Sequence, residues 1–422
     1  MILALVFISA ALWAGSQDVD QAILFYQHKL QRRPTDVRSL HGLGDAFIKK
    51  ARVSGDFKYF DLAAQALTEA LKIDPGNGGV LRHMAYVSFS RHEFQQAVRQ
   101  AARALELNPA DAHAYGVLGD SHLELGEYEE TANAYGKMIE LDRGFYAHAR
   151  MAGLRSIRGD TSGAITDLEA AIESGRKDAV PRESLAWAQW QLGNEYFSLG
   201  MVEQAENQYL KALNTHSNYY RALAGMAQAR AARKKYPEAI QLYQKALGII
   251  PLPEYAAALG DLLNHLGQSE ESARYYRLVE YIGRLSAANQ VIYNRELAYF
   301  YADHDLKLAV ALELAQKEIE IRKDVHGYDV LAWTLYKNER YDEALQAIQE
   351  ALKLGTRDAK LFFHAGMIYR RLGETEKAKE FLSRALVTNA HFHILQADVA
   401  RRALAEMEAR GAAVAHDNGH GE

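Results

Sequence analysis

The chain contains no cysteine, which excludes disulfides, thiolate metal sites, a thiol nucleophile and a lipid-modified N-terminal cysteine. It also lacks the common catalytic signatures, namely the phosphate-cradling GxxxxGK[ST], the dinucleotide GxGxxG, HExxH and GxSxG. Proline is scarce, at 7 of 422 residues, so little interrupts helix formation. These absences predict a helical protein that is not an enzyme.

The charge balance offers no broad positive field, because the formal net charge is −5. We therefore expect no nucleic-acid partner. Hydrophobic residues make up 49% and charged residues 24% of the chain, and helix-forming types such as Ala, Leu, Glu and Lys predominate. A chain of 422 residues is too long for one compact core, which leaves several domains or a repeat array.

The first fourteen residues carry no charged side chain, and a run of small residues, Ala14, Gly15 and Ser16, begins at the last of them. This is typical of the apolar region and cleavage zone of a signal peptide, and it is short for a membrane span. Residues 1–16 are therefore predicted to be a signal peptide that directs export to the periplasm or the medium, with no stable membrane span after its removal. The lack of a basic segment before the apolar stretch leaves a buried first helix in a cytoplasmic protein as the alternative.

Small residues recur inside successive apolar stretches, and five of their nine successive spacings equal 34 residues. The series is Gly44, Ala85, Gly119, Gly153, Gly193, Ala227, Gly260, Ala298, Ala332 and Gly366. A second small residue follows in most units, often with a tyrosine four residues later, as in Ala205 with Tyr209 and Ala239 with Tyr243. Small residues at a helix crossing allow close backbone approach, and an aromatic ring fills the adjacent space.

This pattern resembles the tetratricopeptide repeat. One clear unit has Tyr115, Leu118, Gly119, the turn at Gly126 and Tyr135. The resemblance covers nearly the whole chain from Gln17 to Phe392. It implies an all-α, right-handed superhelical solenoid of antiparallel helix pairs, with about ten units and a C-terminal capping helix, and it implies a scaffold that binds a partner protein or peptide.

The repeat register also predicts the domain boundaries. A half repeat at 17–36 precedes three blocks at 37–180, 186–284 and 291–392, followed by a capping helix at 393–410 and a disordered tail at 411–422. Extra residues near 52–60, 176–183 and 285–290 interrupt the period. We expect them to lengthen surface loops, and the alternative is that they divide the array into the three blocks.

In the family that the chain resembles, the first helix of each pair lines a concave groove. Two positions of that helix, read along the chain, combine aromatic, arginine and amide side chains, which suit recognition of an extended peptide. The residues expected to contact a partner in the groove are Arg82, Tyr86, Arg150, Trp190, Asn194, Arg295, Tyr299 and Trp333.

Several of the 16 histidines lie near other metal-ligand types, as in Asp303-His304-Asp305, the pair His391 and His393, and the tail around His416. Their positions at a turn, a helix end and a terminus favour no fixed metal site. We predict no metal, no cofactor and no catalytic residue. An accessory or regulatory subunit of a membrane or metal-handling system is the alternative function, followed by a solenoid-type enzyme. The partner and the oligomeric state stay open.

Overall fold

A computed structural model describes residues 4–288 and 294–418 of the chain, which form 22 α-helices and no strand. The chain divides into two compact units, Met1–Arg143 and Gly144–Glu422. This division differs from the predicted block boundaries. No described helix is both long enough and apolar enough to cross a membrane.

Unit 1 contains the helices α1 (Ala4–Arg32), α2 (Val37–Ser54), α3 (Lys58–Ile73), α4 (Gly78–Ser90), α5 (Phe94–Leu107), α6 (Ala112–Glu124) and α7 (Tyr128–Leu141). Helix α1 packs against α2, and each later even-numbered helix forms an antiparallel pair with its successor. Residues 1–3 of the predicted signal peptide lie outside the described residues, and α1 runs through the predicted cleavage zone.

Unit 2 continues the pairing through α8 (Phe145–Ile157), α9 (Thr161–Lys177), α10 (Arg182–Ser198), α11 (Val202–Thr215), α12 (Tyr220–Ala232), α13 (Tyr236–Ile249), α14 (Pro253–His265), α15 (Ser269–Ala288), α16 (Asn294–Asp303), α17 (Leu308–Ile321), α18 (Val325–Lys337), α19 (Tyr341–Leu352), α20 (Ala359–Arg371), α21 (Thr375–Thr388) and α22 (Gln396–Asn418). Helix α22 packs on α21 and caps the end of the array. The predicted all-α array of ten helix pairs is confirmed.

Capping side chains determine the residue at which the first helix of several helix pairs begins. The side chain of Asn77 accepts a hydrogen bond from the Val80 amide at 3.2 Å, and Asp111 does the same for Ala114 at 3.0 Å. Such caps satisfy N–H groups that have no partner within the helix. The turns that precede α4 and α6 are therefore encoded locally.

In three repeats, at Gly119, Gly193 and Gly260, the small residue lies under a tyrosine ring of the partner helix. A Cβ added to Gly193 would lie 2.5 Å from the Tyr209 ring, and one added to Gly119 would lie 2.4 Å from Tyr135. Both tyrosines are almost fully buried. A larger side chain at these positions cannot be accommodated unless the helices separate.

Each of these tyrosines also donates its hydroxyl hydrogen to a polar side chain on the first helix of its pair. Tyr209 donates to Asn194 at 2.9 Å, and Tyr135 donates to Asp120 at 2.8 Å. Tyr276 makes the same contact with Asp261 at 2.7 Å. In all three pairs, the residue that accepts this hydrogen bond directly follows the repeat glycine in sequence. One tyrosine therefore sets the distance between the two helices and also orients the polar side chain next to the glycine.

The extra residues of the first two interruptions lengthen helices rather than loops, so the expectation of longer surface loops is wrong there. Helix α2 has 18 residues, and α9 and α10 have 17 each, whereas α4 and α6 have 13. Helix formation satisfies the added backbone groups internally, which a longer loop does not. The third interruption extends α15 to 20 residues, and residues 289–293 lie outside the described residues.

The C-terminal helix is also longer than predicted, because α22 reaches Asn418 rather than ending near residue 410. The prediction of a disordered tail is therefore wrong for residues 411–418. Residues 419–422 lie outside the described residues.

A buried polar cluster holds the inner surface of unit 2 together around Asp261, which is 3% exposed. His304 Nε2 lies 2.6 Å and His393 Nε2 3.2 Å from its two carboxylate oxygens. Burial raises the pKa of Asp261, but the hydrogen bonds and charges of the two histidines outweigh it and bring the pKa well below the usual range. Burial lowers the pKa of His304, but the hydrogen bond and charge of Asp261 outweigh it and raise the pKa overall.

We predict opposite effects of alanine at two glycines that hold equivalent repeat positions. Gly193→Ala places a methyl group against Tyr209 and should lower the free energy of unfolding by about 1–3 kcal/mol. Gly153→Ala meets no atom within 4 Å and should raise it by about 0.5–1 kcal/mol, because alanine favours the helix. Denaturant unfolding of both variants measures this, and equal effects would contradict the packing account.

The His304–Asp261 pair predicts a pH dependence of stability. Because the pKa of His304 is raised above its usual 6.5, its contribution is complete below about pH 6.5 and is lost as the pH rises through the raised value. The free energy of unfolding should be measured at pH 6 and at pH 9 for the wild type and for His304→Gln. Between these two pH values it should fall by about 2 kcal/mol more in the wild type than in the variant. The exposed His28→Gln serves as the control, and a loss that His304→Gln leaves unchanged would refute the assignment.

Candidate functional site

The connection between α21 and α22 crosses the inner surface of unit 2. We call residues 389–394 the crossing segment. The side-chain amide of Asn389, which is 3% exposed, donates to the Phe197 carbonyl of α10 at 2.8 Å. Farther along, Ile394 packs among Leu223, Leu259 and other core residues of α12 and α14. The crossing segment thus joins parts of unit 2 that lie far apart in sequence.

A second contact between distant helices lies at the ends of α8 and α19. The hydroxyl of Thr356 donates to the Ile157 carbonyl at the end of α8. A Cβ at Gly159, whose φ is +76°, would lie 2.3 Å from the Gly355 carbonyl oxygen, so only glycine fits this approach. Unit 2 therefore closes on itself, whereas most solenoid contacts join neighbouring repeats.

Two cavities lie beside the crossing segment, and Phe392, Gln228, Tyr243 and Ala258 line both. The Trp190 cavity, of about 440 Å³, is bounded by α10, α12, α14 and the start of α20. The His391 cavity, of about 390 Å³, lies between the ends of α12 and α14 and the start of α22.

Aromatic side chains form the walls of the Trp190 cavity. Trp190 from α10, Tyr255 from α14 and Phe392 from the crossing segment all line it, and the ring of Phe392 packs 5.6 Å from that of Phe363. Side-chain amides of Asn194 and Gln228 supply donors and acceptors beside these rings. This combination suits an extended chain with an apolar side chain and exposed peptide groups.

Two oppositely charged side chains, Arg221 and Glu254, line the same cavity, and neither forms an ion pair within the described residues. The Arg221 guanidinium lies 5.2 Å from the Trp190 ring centroid, and its Nε donates to the Tyr220 hydroxyl at 3.1 Å. Within the described part of the chain, no carboxylate lies within ion-pair distance of Arg221, and no cation within that distance of Glu254. Partial removal from water raises the pKa of Glu254 to about 7, and the nearby Glu296 adds to the rise.

The structure brings two of the predicted groove residues together at this cavity, Trp190 and Asn194. Both come from α10, where Tyr209 fixes Asn194 as described above. Arg150, at the start of unit 2, donates to the carbonyl of Tyr146 on its own helix at 3.2 Å. The partner-binding role of all three residues stays a prediction.

Two other predicted residues belong to unit 1. Arg82 forms an ion pair of 3.0 Å with Asp111, the residue that caps α6. The ring of Tyr86 packs 6.5 Å from that of Phe60 and is partly buried. Their roles in partner binding stay predictions.

The remaining three predicted residues lie in a different polar cluster of unit 2. Arg295 binds Glu318 and Asp324, and the Tyr299 hydroxyl donates to Asp329 at 2.6 Å. Trp333 is only 3% exposed, and its indole N–H donates to Asp303 at 2.7 Å. The expected exposure of Trp333 to a groove is therefore wrong, because this hydrogen bond and the stacked His364 ring enclose it.

Sequence reasoning missed Arg221, Glu254 and Lys360, which all line the Trp190 cavity. Each stands three residues before the position that is equivalent to Trp190 in its repeat, at Ala224, Ala257 and Phe363. Residues three apart share a helix face. Extending the row by one turn towards the start of each helix would have found all three.

Two of the histidines that suggested metal ligands, His304 and His393, have another partner. Asp303 accepts from Trp333 and Gln396 and pairs with Lys360, while His304 and His393 bind Asp261. Among the residues that the structure describes, no group of three or more His, Asp or Glu side chains is arranged to hold a metal ion. The side chains of the His416 tail lie outside the described residues.

Comparison with known proteins gives matches along most of the chain. The family model described as tetratricopeptide repeat matches residues 84–144, 191–252 and 330–392. A TPR repeat-containing protein of Methanocaldococcus jannaschii is 22% identical over 376 residues, which are 87% of this chain and 53% of that protein. An Hsp70-Hsp90 organizing protein of Triticum aestivum is 29% identical over 121 residues, which are 29% of this chain and 20% of that protein.

The chain thus spans about half the length of the Methanocaldococcus relative and a fifth of the wheat relative. Among solved structures, a human IFIT1 dimer with m7Gppp-AAAA aligns with a TM-score of 0.50 and 13% identity, over 80% of this chain and 76% of that one. This similarity concerns the fold alone. Together with the ten helix pairs, the three matched regions show that the chain contains tetratricopeptide repeats and is similar to proteins with such repeats along most of its length.

Proposed function

We propose that unit 2 binds an extended segment of a partner protein in the Trp190 cavity. Tetratricopeptide repeats form protein-interaction scaffolds, and the name of the wheat relative describes a protein that organises two chaperones. The observation that carries the proposal is the placement of Trp190, Arg221 and Tyr255 around one open cavity. Tryptophan, tyrosine and arginine are the residue types that dominate the energy of protein interfaces.

The charges in the cavity add specificity to this proposal. Arg221 is fixed against the Trp190 ring and offers donors in a planar fork. The pKa of Glu254 is raised to about 7, chiefly by burial, so near neutral pH it carries less negative charge than an ordinary carboxylate. A segment with an aromatic or aliphatic side chain next to an acidic one would therefore satisfy both the rings and Arg221.

The scaffold acts without a catalytic step in this proposal. Binding energy comes from burying apolar area against preformed walls, and the crossing segment and the Asp261 cluster hold those walls in place. Because little of the site has to be ordered on binding, a short segment would suffice for micromolar affinity.

Export is a separate proposal that rests on the uncharged first fourteen residues. N-terminal sequencing of the protein isolated from its native source should find a chain that begins near residue 17. An intact Met1 on the mature protein would refute export and favour the cytoplasmic alternative.

We predict that Trp190→Ala weakens partner binding by about 30-fold, the loss that accompanies removal of a central interface tryptophan. A displayed library of random peptides selected on the full chain supplies the ligand, and calorimetry gives its dissociation constant. The acidic or neutral character of the selected peptides tests the role of Arg221 in the same experiment.

Trp187→Ala is the matched control, because Trp187 lies one turn earlier on α10 and packs against Ala186 and Ala222 without lining the cavity. It should change the affinity by less than about threefold. Peptides that bind Trp190→Ala as tightly as the wild type would place the binding site elsewhere.

A further inference from the structure

The His391 cavity is lined by basic side chains together with apolar ones. Lys234 comes from the turn after α12, His265 from the end of α14, His391 from the crossing segment and Arg401 from α22. Leu262, Ile394 and other apolar residues also line it. Four separate parts of unit 2 thus bring two charged side chains, Lys234 and Arg401, and two imidazole rings to one cavity.

Of the two cations of this cavity, Lys234 is not neutralised by any of the described residues, whereas Arg401 has a carboxylate partner. No carboxylate lies within ion-pair distance of Lys234 among the described residues. Arg401 pairs with Asp398 through Nη1 and donates to the Ala390 carbonyl through Nη2 at 2.6 Å. These contacts orient its guanidinium towards the crossing segment and leave further N–H donors for another acceptor.

The acidic groups that face the cavity are Asp398 and Asp261. Asp261 already binds His304, His393 and Tyr276, and Asp398 is paired with Arg401. The charge of Lys234 therefore has no counterpart. The pKa of His391 is lowered by burial and by the positive charges of Arg401 and Lys234.

We propose that the His391 cavity binds an oxyanion, either a carboxylate or a phosphate group, between Lys234, His391 and Arg401. Lysine and arginine provide charge-assisted hydrogen bonds to such groups. The apolar wall at Leu262 and Ile394 would contact the carbon part of a ligand that carries the anion. This site is separate from the Trp190 cavity, and the inference does not rest on peptide binding there.

The test uses the full chain with isotope-labelled histidine and follows the His391 ring resonances by NMR during titration with inorganic phosphate and, separately, with succinate. Ionic strength is held constant with chloride. A bound anion should give a saturable shift and raise the pKa of His391, because it offsets the charges of Lys234 and Arg401. Saturation by phosphate alone, by succinate alone or by both identifies the anion, and saturation by neither overturns the proposal.

Variants distinguish a built site from a general charge effect. Lys234→Ala and Arg401→Ala should each weaken the saturating anion about tenfold, because each removes a charge-assisted hydrogen bond. Lys235→Ala and Arg402→Ala are the matched controls, since these exposed neighbours carry the same charge and do not line the cavity. They should leave the affinity unchanged.

Lys234→Ala alone keeps the test decisive if Arg401→Ala disturbs the crossing segment, because the exposed Lys234 has no side-chain contact of that kind. Equal losses in Lys234→Ala and Lys235→Ala, or no loss in Lys234→Ala, would overturn the proposal.

Discussion

The packing of a tyrosine ring on a repeat glycine is the interaction on which the structure depends. The ring sets how closely two helices approach, and its hydroxyl bonds the polar residue that follows the glycine, as with Tyr209, Gly193 and Asn194. One side chain therefore couples the core of a helix pair to the inner surface of the array. The same arrangement occurs at Tyr135 and Tyr276. The polar residues that accept these hydrogen bonds therefore recur with the period of the buried tyrosines.

In unit 2, polar residues that follow the repeat glycines form part of buried clusters. Asp261 accepts from Tyr276 and also binds His304 and His393, and the latter belongs to the crossing segment. Buried charges are tolerated only when they are paired and hydrogen-bonded, so these clusters fix the path of the crossing segment. Two cavities of moderate size lie beside the segment.

The sequence was sufficient for features that repeat locally. The small residues at intervals of 34 indicated the ten helix pairs, and Asn194, the position after Gly193, lines the Trp190 cavity. Extra residues were misjudged because a change of period does not reveal whether a helix or a loop absorbs it. The enclosure of Trp333 and the contact between Asn389 and Phe197 could not be predicted, because they depend on how far unit 2 curves before it meets itself. Small rotations at many helix crossings add up to that curvature, and no single motif encodes it.

Site-specific photocross-linking tests most directly whether the inner surface of unit 2 receives the partner. A photoreactive residue replaces Gln228, which lines both cavities, or Gln241, which is exposed on α13, and a peptide selected by the wild-type chain is added. The account predicts cross-linking from position 228 and none from position 241. Equal cross-linking from both positions, or cross-linking from position 241 alone, would contradict it.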